Sequence, residues 1–514
     1  MHADLHTPSP TAAQQAGRFA VTAALTMVVA LLCVLSFWDR GLSGIPFTSD
    51  LVQPYLVIED LLSNPASFFT WRHSPSPYVF PDMVIAAALV VLPLSTKWMG
   101  ILYGTALLTG YILAAGSLIG RATKIDSRDA GFLFALCLLM VVVAANALGG
   151  QLTSWFLPTL FAPFIHTGAL LVTLIAMILL ERILRVPGST AAKALLLLLV
   201  LVTSFSDALF VVWFVLPALI VLWLCARACQ STPPRALMVS LFGAAAIAVA
   251  AERIFHGIKA GKPLRLDTIM RAAETLWNSA LDAIVRPDWI FTGLLAITLI
   301  ILLSGAVSLG RSARRREMPF ADTLAIFLAV SVVLGVLAPI LTSYFQEQSH
   351  WRYLLFLPLF AVLKMAIILS RLVKAGRYLS AVPAGALALA LLIIAPTAYG
   401  AAMAREPRTG LETCLDARDL TTGLGDYWVA KRLMFLSGRK FHIVQLKWDG
   451  RLDTYNYNRD WFSRRADDGS AIEPNFIIIR GLVAERIRDK FGAPGNTLPC
   501  AGTEIWLYDD LTIR

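Results

Sequence analysis

The chain has 514 residues, 57% apolar and only 15% charged, with a mean hydropathy of +0.68. A soluble protein of this length carries roughly a quarter charged residues, which excludes a wholly aqueous fold. The formal net charge is +10, but residues 402–514 hold 17 Lys and Arg against 16 Asp and Glu, leaving 27 against 18 in the rest; the excess orients helices and meets anionic membrane lipid, and no nucleic-acid partner is expected.

The first 18 residues, MHADLHTPSPTAAQQAGR, are too long and polar to open a signal peptide. The apolar run at 19–38 is too long for a cleavable segment and lacks a small-residue cleavage site, so it is expected to stay as the first membrane helix. Further apolar runs follow at 83–96, 98–119, 130–148, 155–180, 192–205, 207–226, 236–252, 290–310, 320–341, 353–370 and 379–401. Most are long enough to cross about 30 Å of hydrocarbon as helices. The expected class is a polytopic α-helical membrane protein of 11 to 12 apolar helices over residues 1–401, with a soluble domain at 402–514.

Lys and Arg stay on the cytoplasmic side during insertion. Four loops are basic, carrying Arg182, Arg185 and Lys193; Arg227 and Arg235; Arg311, Arg314, Arg315 and Arg316; and Arg371, Lys374 and Arg377. Placing them inside puts 253–288, 342–352 and the tail outside, and Arg18 ahead of the first helix puts the 39–82 loop there too. The tail is therefore expected in the periplasm of a bacterial inner membrane. One conflict follows: an odd number of crossings must separate the 39–82 loop from the basic loop at 181, yet four apolar runs lie between them. One must be a half-span, either 83–96, which is short, or the stretch 149–166, which two glycines and two prolines interrupt.

Ionisable groups at the membrane boundary are costly and usually functional. The richest cluster is the 39–82 loop. It carries Asp50 just past the first span; Leu51, Tyr55, Ile58 and Leu62 then recur at helical spacing, which predicts an amphipathic helix lying in the interface. The proline-stiffened WRHSPSPYVFPD that follows holds Arg72 and His73 and ends at Asp82. A second outer loop, QEQSHWRY, offers His350 and Arg352 at the mouth of the next span, with Trp351 suited to the interface. Arg253, Lys259, Lys262, Arg265 and Arg271 are further cations on the same side.

A large outer loop with an acidic residue and an interfacial helix after the first span, followed at the far end by an outer soluble domain, resembles the GT-C superfamily of membrane glycosyltransferases. FTSDLVQPY matches the place and kind of that superfamily's catalytic-acid motif. The resemblance covers the architecture of the whole chain but few residues by motif. It implies an inverting transferase that takes a sugar from a polyprenyl-phosphate-linked donor to an envelope glycan or lipid acceptor such as lipopolysaccharide. Asp50 would then be the catalytic residue, and a divalent metal is a possible cofactor. Glu59 and Asp60 depart from the pattern as competing carboxylates, with Asp82 a further one.

The chemistry fits those residues. A general base must take the acceptor proton and cations must hold the phosphate leaving group. Arg352, with its bidentate fork, is the leading donor-phosphate candidate, and Arg72, His73 and His350 are others. Plainer readings stand beside these. Asp50 also suits a helix N-cap, Arg352 also suits a lipid head group, and His166 and Asp207 read as packing or local hydrogen-bonding residues. A transporter or flippase of lipid-linked saccharides is the main alternative, but it calls for inverted repeats that the sequence does not display. A non-catalytic envelope assembly protein would leave the first loop without a role.

In the tail, KFHIVQLKWDG, PNFIIIRG and TEIWLYDD read as strands, and GDYWVAKRLMFLSG and GLVAERIRDKFG as helices, which predicts a small α/β or α+β domain. Cys414 and Cys500 lie outside the membrane part and are disulfide candidates in an oxidising compartment; two free thiols is the alternative. Cys33, Cys137, Cys225 and Cys229 lie in or beside spans, and the C-x3-C at 225–229 lacks the partners a metal site needs.

Overall fold

The computed structural model of the protein describes residues 12–38, 48–74, 76–148, 159–160, 166–256, 265–286, 288–346, 348–375, 381–404 and 410–512. In chain order the helices of the apolar part are α1 (Ala12–Phe37), α2 (Ser49–Ser63), α3 (Val84–Val90), α4 (Thr96–Thr123), α5 (Ser127–Leu148), α6 (Thr167–Arg185), α7 (Thr190–Ser206), α8 (Leu216–Ala228), α9 (Arg235–His256), α10 (Leu266–Val285), α11 (Trp289–Arg315), α12 (Phe320–Leu341), α13 (Phe356–Ala375) and α14 (Ala381–Met403). Among the described residues nine helices are long and apolar enough to cross a membrane, and Val79–Val90, Thr190–Ser206 and Ala388–Met403 are shorter apolar helices. The chain is a multi-pass helical membrane protein.

Contacts at the helix ends resolve the parity conflict. Lys97, in the first turn of α4, donates from Nζ to the carbonyls of Ala402 at 3.1 Å and Ala404 at 2.6 Å, where α14 ends and the tail begins. At the opposite end of α4, Arg121 pairs with Glu181 of α6, and Lys374 donates to the Thr123 carbonyl at 3.0 Å. So α4 starts on the tail's side and runs to the far side. Because α2 also packs against the tail, the short α3 enters and returns without crossing. Three crossings, α4, α5 and α6, therefore separate the first loop from the loop at 181, and the 83–96 run is the half-span. Most of the competing stretch at 149–166 lies outside the described residues. Helix α7 has 17 residues and is about 25 Å long at 1.5 Å per residue, close to the hydrocarbon thickness. Among the described residues, α7 and α14 joined to the nine long helices make eleven candidate crossings.

Within the segment expected as an outer loop, residues 266–285 form helix α10. Helix α10 lies on the tail's side, tied to the end of α12 by a 2.9 Å bond from Ser343 to Thr268. Its Leu266, Met270, Trp277 and Val285 are exposed, the pattern of a helix lying along a membrane surface.

The tail is an α/β domain with helices α15 (Gly410–Asp416), α16 (Tyr427–Leu436) and α17 (Ala484–Phe491). Its strands are β2 (Thr422–Asp426), β3 (His442–Leu446), β5 (Phe476–Ile478), β6 (Asn496–Cys500) and β7 (Thr503–Leu507), in the order β3-β2-β5-β7-β6. Strands β3, β2 and β5 are parallel, and β7 turns the edge antiparallel. Successive side chains on a strand face opposite ways. Ile443, Phe476, Ile478 and Ile505 accordingly pack with Leu415, Val429 and Leu433 in one core, while Val444, Ile477 and Trp506 pack with Ile487 in another. A sheet covered on both faces explains the unbroken apolar run FIII. Cys414 and Cys500 are joined by a disulfide that ties α15 to the end of β6.

The first loop is the tail's docking platform. Strand β1 (Trp71–Arg72) pairs antiparallel with β4 (Tyr457–Asn458) of the tail. Helix α2 is covered by the tail. Leu51, Val52, Tyr55, Leu56, Val57 and Ile58 are all buried, because α16 covers the face that would otherwise meet water.

Candidate functional site

Asp50 sits in the first turn of α2, whose N-cap is Thr48, so the capping reading of Asp50 is set aside. Its carboxylate is instead committed across the joint. Oδ1 accepts the phenolic hydrogen of Tyr427, the first residue of α16, and Oδ2 stands 3.7 Å from Arg352 Nη1. The Ser49 hydroxyl donates to the Tyr427 carbonyl at 2.5 Å and fixes the two helices against each other. The side chains of Asp50 and Arg352 remain 30% and 32% exposed, open enough to reach a ligand.

Tyr427 is itself supported from below. Asn456 donates to its hydroxyl at 3.3 Å, and Tyr455 packs at 5.5 Å between ring centroids. Lys431, one helical turn on, is fully buried with Nζ 4.1 Å from the Tyr427 ring and 2.7 Å from the Asn456 carbonyl. Burial pushes the Lys431 ammonium down to about 7, while Asp50 and Asp453 act in the opposite direction. Burial also raises the Tyr427 phenol, and the adjacent Asp50 charge adds to it, so Tyr427 acts as a donor to the carboxylate.

Arg352 lies in a short helical turn spanning Gln348–Leu354. Its Nη2 donates to the Tyr353 hydroxyl at 3.4 Å, and its Nε is buried and bonded to none of the described residues. The guanidinium thus lies between Asp50 and Tyr353. His350 stacks on Tyr353 at 5.8 Å and accepts the Gln346 amide at 3.1 Å. Trp351 is buried edge-on between Phe291 and Phe345.

A second polar layer continues from Tyr353 into the helices. Tyr353 packs on His166 at 5.7 Å, and His166 Nδ1 lies 2.7 Å from Asp207 Oδ2. Tyr78 packs on His166 at 5.5 Å and is within electrostatic reach of Asp207, Arg352, Asp50 and Tyr353, so it links the two layers. Its backbone is in the left-handed region at φ 54°, held there by its amide bond to the Ser206 carbonyl. Deeper still, Asp82 accepts the Tyr103 hydroxyl and crosses the start of α6, where a Cβ on Gly168 would stand 2.6 Å from Asp82 Oδ1.

The remaining predicted residues belong to the docking joint. Arg439 of the tail donates to Glu59 at 2.8 Å, to Asp60 at 2.6 Å, and to the carbonyls of Leu56 and Ala466 at 3.0 Å each. Asp60 also accepts Trp71 Nε1 at 2.8 Å and Asn458 Nδ2 at 2.6 Å. Glu59 and Asp60 thus hold the tail to α2, away from Asp50. Arg72 is exposed on β1, and His73 is buried near Phe68 and Trp71, so neither is brought to Asp50. Of the second basic cluster, Arg253 pairs with Glu252 at 3.6 Å and Arg271 with Asp267 at 2.9 Å. Lys259 and Lys262 lie outside the described residues.

The sequence reading missed every tail residue at the site, and Tyr78 as well. The i, i+4 spacing of Tyr427 and Lys431 was visible, but nothing local says which surface α16 faces. Among the described residues no group of three or more His, Cys, Asp or Glu side chains could hold a metal ion, so none marks a place for the divalent metal considered above.

The fold and composition define a polytopic helical membrane protein whose α/β tail completes a polar site with the first loop. No family model, curated protein or solved structure matches the chain.

Proposed function

We propose that the chain is a lipid-linked-sugar glycosyltransferase acting at the outer face of a bacterial inner membrane, with the tail in the periplasm. The observation that carries this reading is the meeting of Asp50, Arg352 and Tyr427 at the boundary between the helices and the water-soluble tail. A polyprenyl-phosphate donor presents its phosphate at that depth, and the acceptor arrives from the aqueous side.

In this reading Asp50 takes the proton from the acceptor hydroxyl, the acceptor oxygen attacks the anomeric carbon from the face opposite the phosphate, and the sugar–phosphate bond breaks with its electron pair leaving on phosphate. Arg352, whose side chain stays partly open beside Asp50, supplies the positive charge that holds the phosphate oxygens. His350 stands next to it on the Tyr353 ring. Tyr427 and Lys431 set the position of the Asp50 carboxylate and touch neither substrate. The transporter reading would put its polar groups near mid-membrane on paired broken helices, whereas Asp50, Arg352 and Tyr427 lie at one end of the bundle.

Mass spectrometry of lipid-linked sugars and surface glycans in a deletion strain tests the proposal. The expected result is an accumulated polyprenyl-phosphate sugar together with an envelope glycan or lipid lacking that sugar. An unchanged glycan profile would remove the transferase reading.

A further inference from the structure

Strand β2 is flanked by β3 on one side and β5 on the other, all parallel, so the chain leaves the carboxyl ends of β2 and β5 in opposite directions. In open α/β sheets that divergence leaves a crevice beyond the strand ends, where ligands bind. Here it holds a cavity of about 310 Å³ lined by Trp428 and Arg432 of α16, Arg480 just after β5, Leu411 of α15, Ala501 of the β6–β7 turn, and Thr48. The Cys414–Cys500 disulfide joins α15 to β6 and so holds two walls of the cavity together.

The lining is cationic and has one large aromatic face. Arg432 Nε is buried and bonded to none of the described residues, and among those residues neither Arg432 nor Arg480 makes a close ion pair, with Glu412 within electrostatic reach of Arg432 and Asp426 of Arg480. Burial lowers the affinity of Arg432 for its proton, Glu412 nearby offsets part of this, and Arg480 adds to it, so an entering anion relieves both costs. Trp428 is 54% exposed at the rim. On α16, Tyr427 and Lys431 face Asp50, while Trp428 and Arg432 occupy the adjacent stripe one residue on.

We propose that this crevice binds a saccharide unit bearing a carboxylate or phosphate, with the anion on Arg432 and Arg480 and the sugar ring against the Trp428 indole. A guanidinium pair matches planar or tetrahedral oxyanions through forked hydrogen bonds, and an indole offers a broad apolar face to a pyranose. Its role as an acceptor subsite rests on the transferase reading, since Thr48 places the crevice beside the helix turn that carries Asp50. The binding itself does not.

The test is a ligand-observed NMR titration of the full chain in detergent with glucuronic acid, glucose 1-phosphate, glucose and inorganic phosphate. Glucuronic acid or glucose 1-phosphate should bind saturably, with glucose and inorganic phosphate at least about tenfold weaker, a difference of about 1.4 kcal/mol. Arg480→Gln, at an exposed position, should weaken binding about tenfold, as should Arg432→Gln, and Trp428→Ala should remove the saturation of the sugar-ring protons. Asp50→Asn should leave binding unchanged, so loss of the transferase reading does not touch this result. Equal binding of glucose, equal binding of inorganic phosphate, or affinity unaltered in Arg480→Gln would each overturn the proposal, even where sugar transfer is demonstrated.

Discussion

Arg352 Nη1 stands 3.7 Å from Asp50 Oδ2, joining the mouth of one membrane helix to the first turn after another, and Tyr427 of the tail closes the other side of the same carboxylate. Asp50→Asn keeps the shape and can still accept from Tyr427, but it removes the base. Transfer is expected to fall at least about a hundredfold, the lower scale for a general base, with thermal stability near that of the parent. Arg352→Lys keeps the charge and loses the fork, so donor KM should rise more than acceptor KM. Kinetics with a synthetic polyprenyl-phosphate sugar check both. Full activity in Asp50→Asn would move the base elsewhere.

Arg439 bonds Glu59, Asp60 and two carbonyls while only 13% exposed. Removing one partner of a buried, multiply bonded charge costs about 3–5 kcal/mol. Arg439→Ala should therefore release the tail from α2, read as faster limited proteolysis between the membrane part and the tail. Arg439→Lys should rescue little, because a single ammonium does not span four acceptors. Wild-type protease resistance in Arg439→Ala would show that β1 and β4 hold the joint without it.

His442 is buried, with Nε2 2.9 Å from the Trp461 carbonyl and Nδ1 accepting the Ala466 amide at 3.0 Å. That arrangement fits the neutral ring, and burial pushes its pKa down from 6.5 to about 4. Between those values the unfolded chain binds a proton that the folded tail does not, so stability is present above pH 6.5 and is lost as pH falls toward 4, by up to about 3 kcal/mol. Chemical denaturation followed by tail-specific hydrogen exchange should show this slope. His442→Gln, which has no proton to gain, should flatten it; an identical slope in the variant would assign the acid sensitivity to other groups.

The contacts of Lys97 with Ala402 and Ala404 put the first loop and the tail on one side, and the proposed function requires that side to be outside. A phosphatase fused to the C-terminus should be active, and one fused after Arg185 inactive. The reverse pattern, with both fusions well expressed, would reject the periplasmic site and with it the proposed reaction.

The sequence alone determined the class of the protein. Unbroken apolar runs have few alternatives to crossing a membrane, because backbone polar groups in hydrocarbon must be satisfied within the helix. In the tail, β5 was legible as an unbroken apolar run because it is buried on both faces, and β3 and β7 as short runs rich in β-branched, aromatic and other apolar residues. Strand β2, TGLGD, was not legible: a Cβ on Gly423 would stand 2.6 Å from Phe476 Cδ2 and closer still to the rest of that ring edge, so its glycines serve close approach and erase the strand pattern. The edge strand β6 was hidden by Pro499.

What only the tertiary structure decided was which polar groups meet. Asp50, Glu59 and Asp60 share one short helix and are indistinguishable by composition. Their roles separate because Tyr427 and Arg439, more than 370 residues away in the chain, reach different turns of that helix. The half-span was settled in the same way, by a lysine bonding carbonyls about 300 residues distant. Local periodicity records which side of an element is apolar. It carries no information about which distant charge arrives opposite a given carboxylate, and that pairing separates the candidate base from the two carboxylates that hold the tail in place.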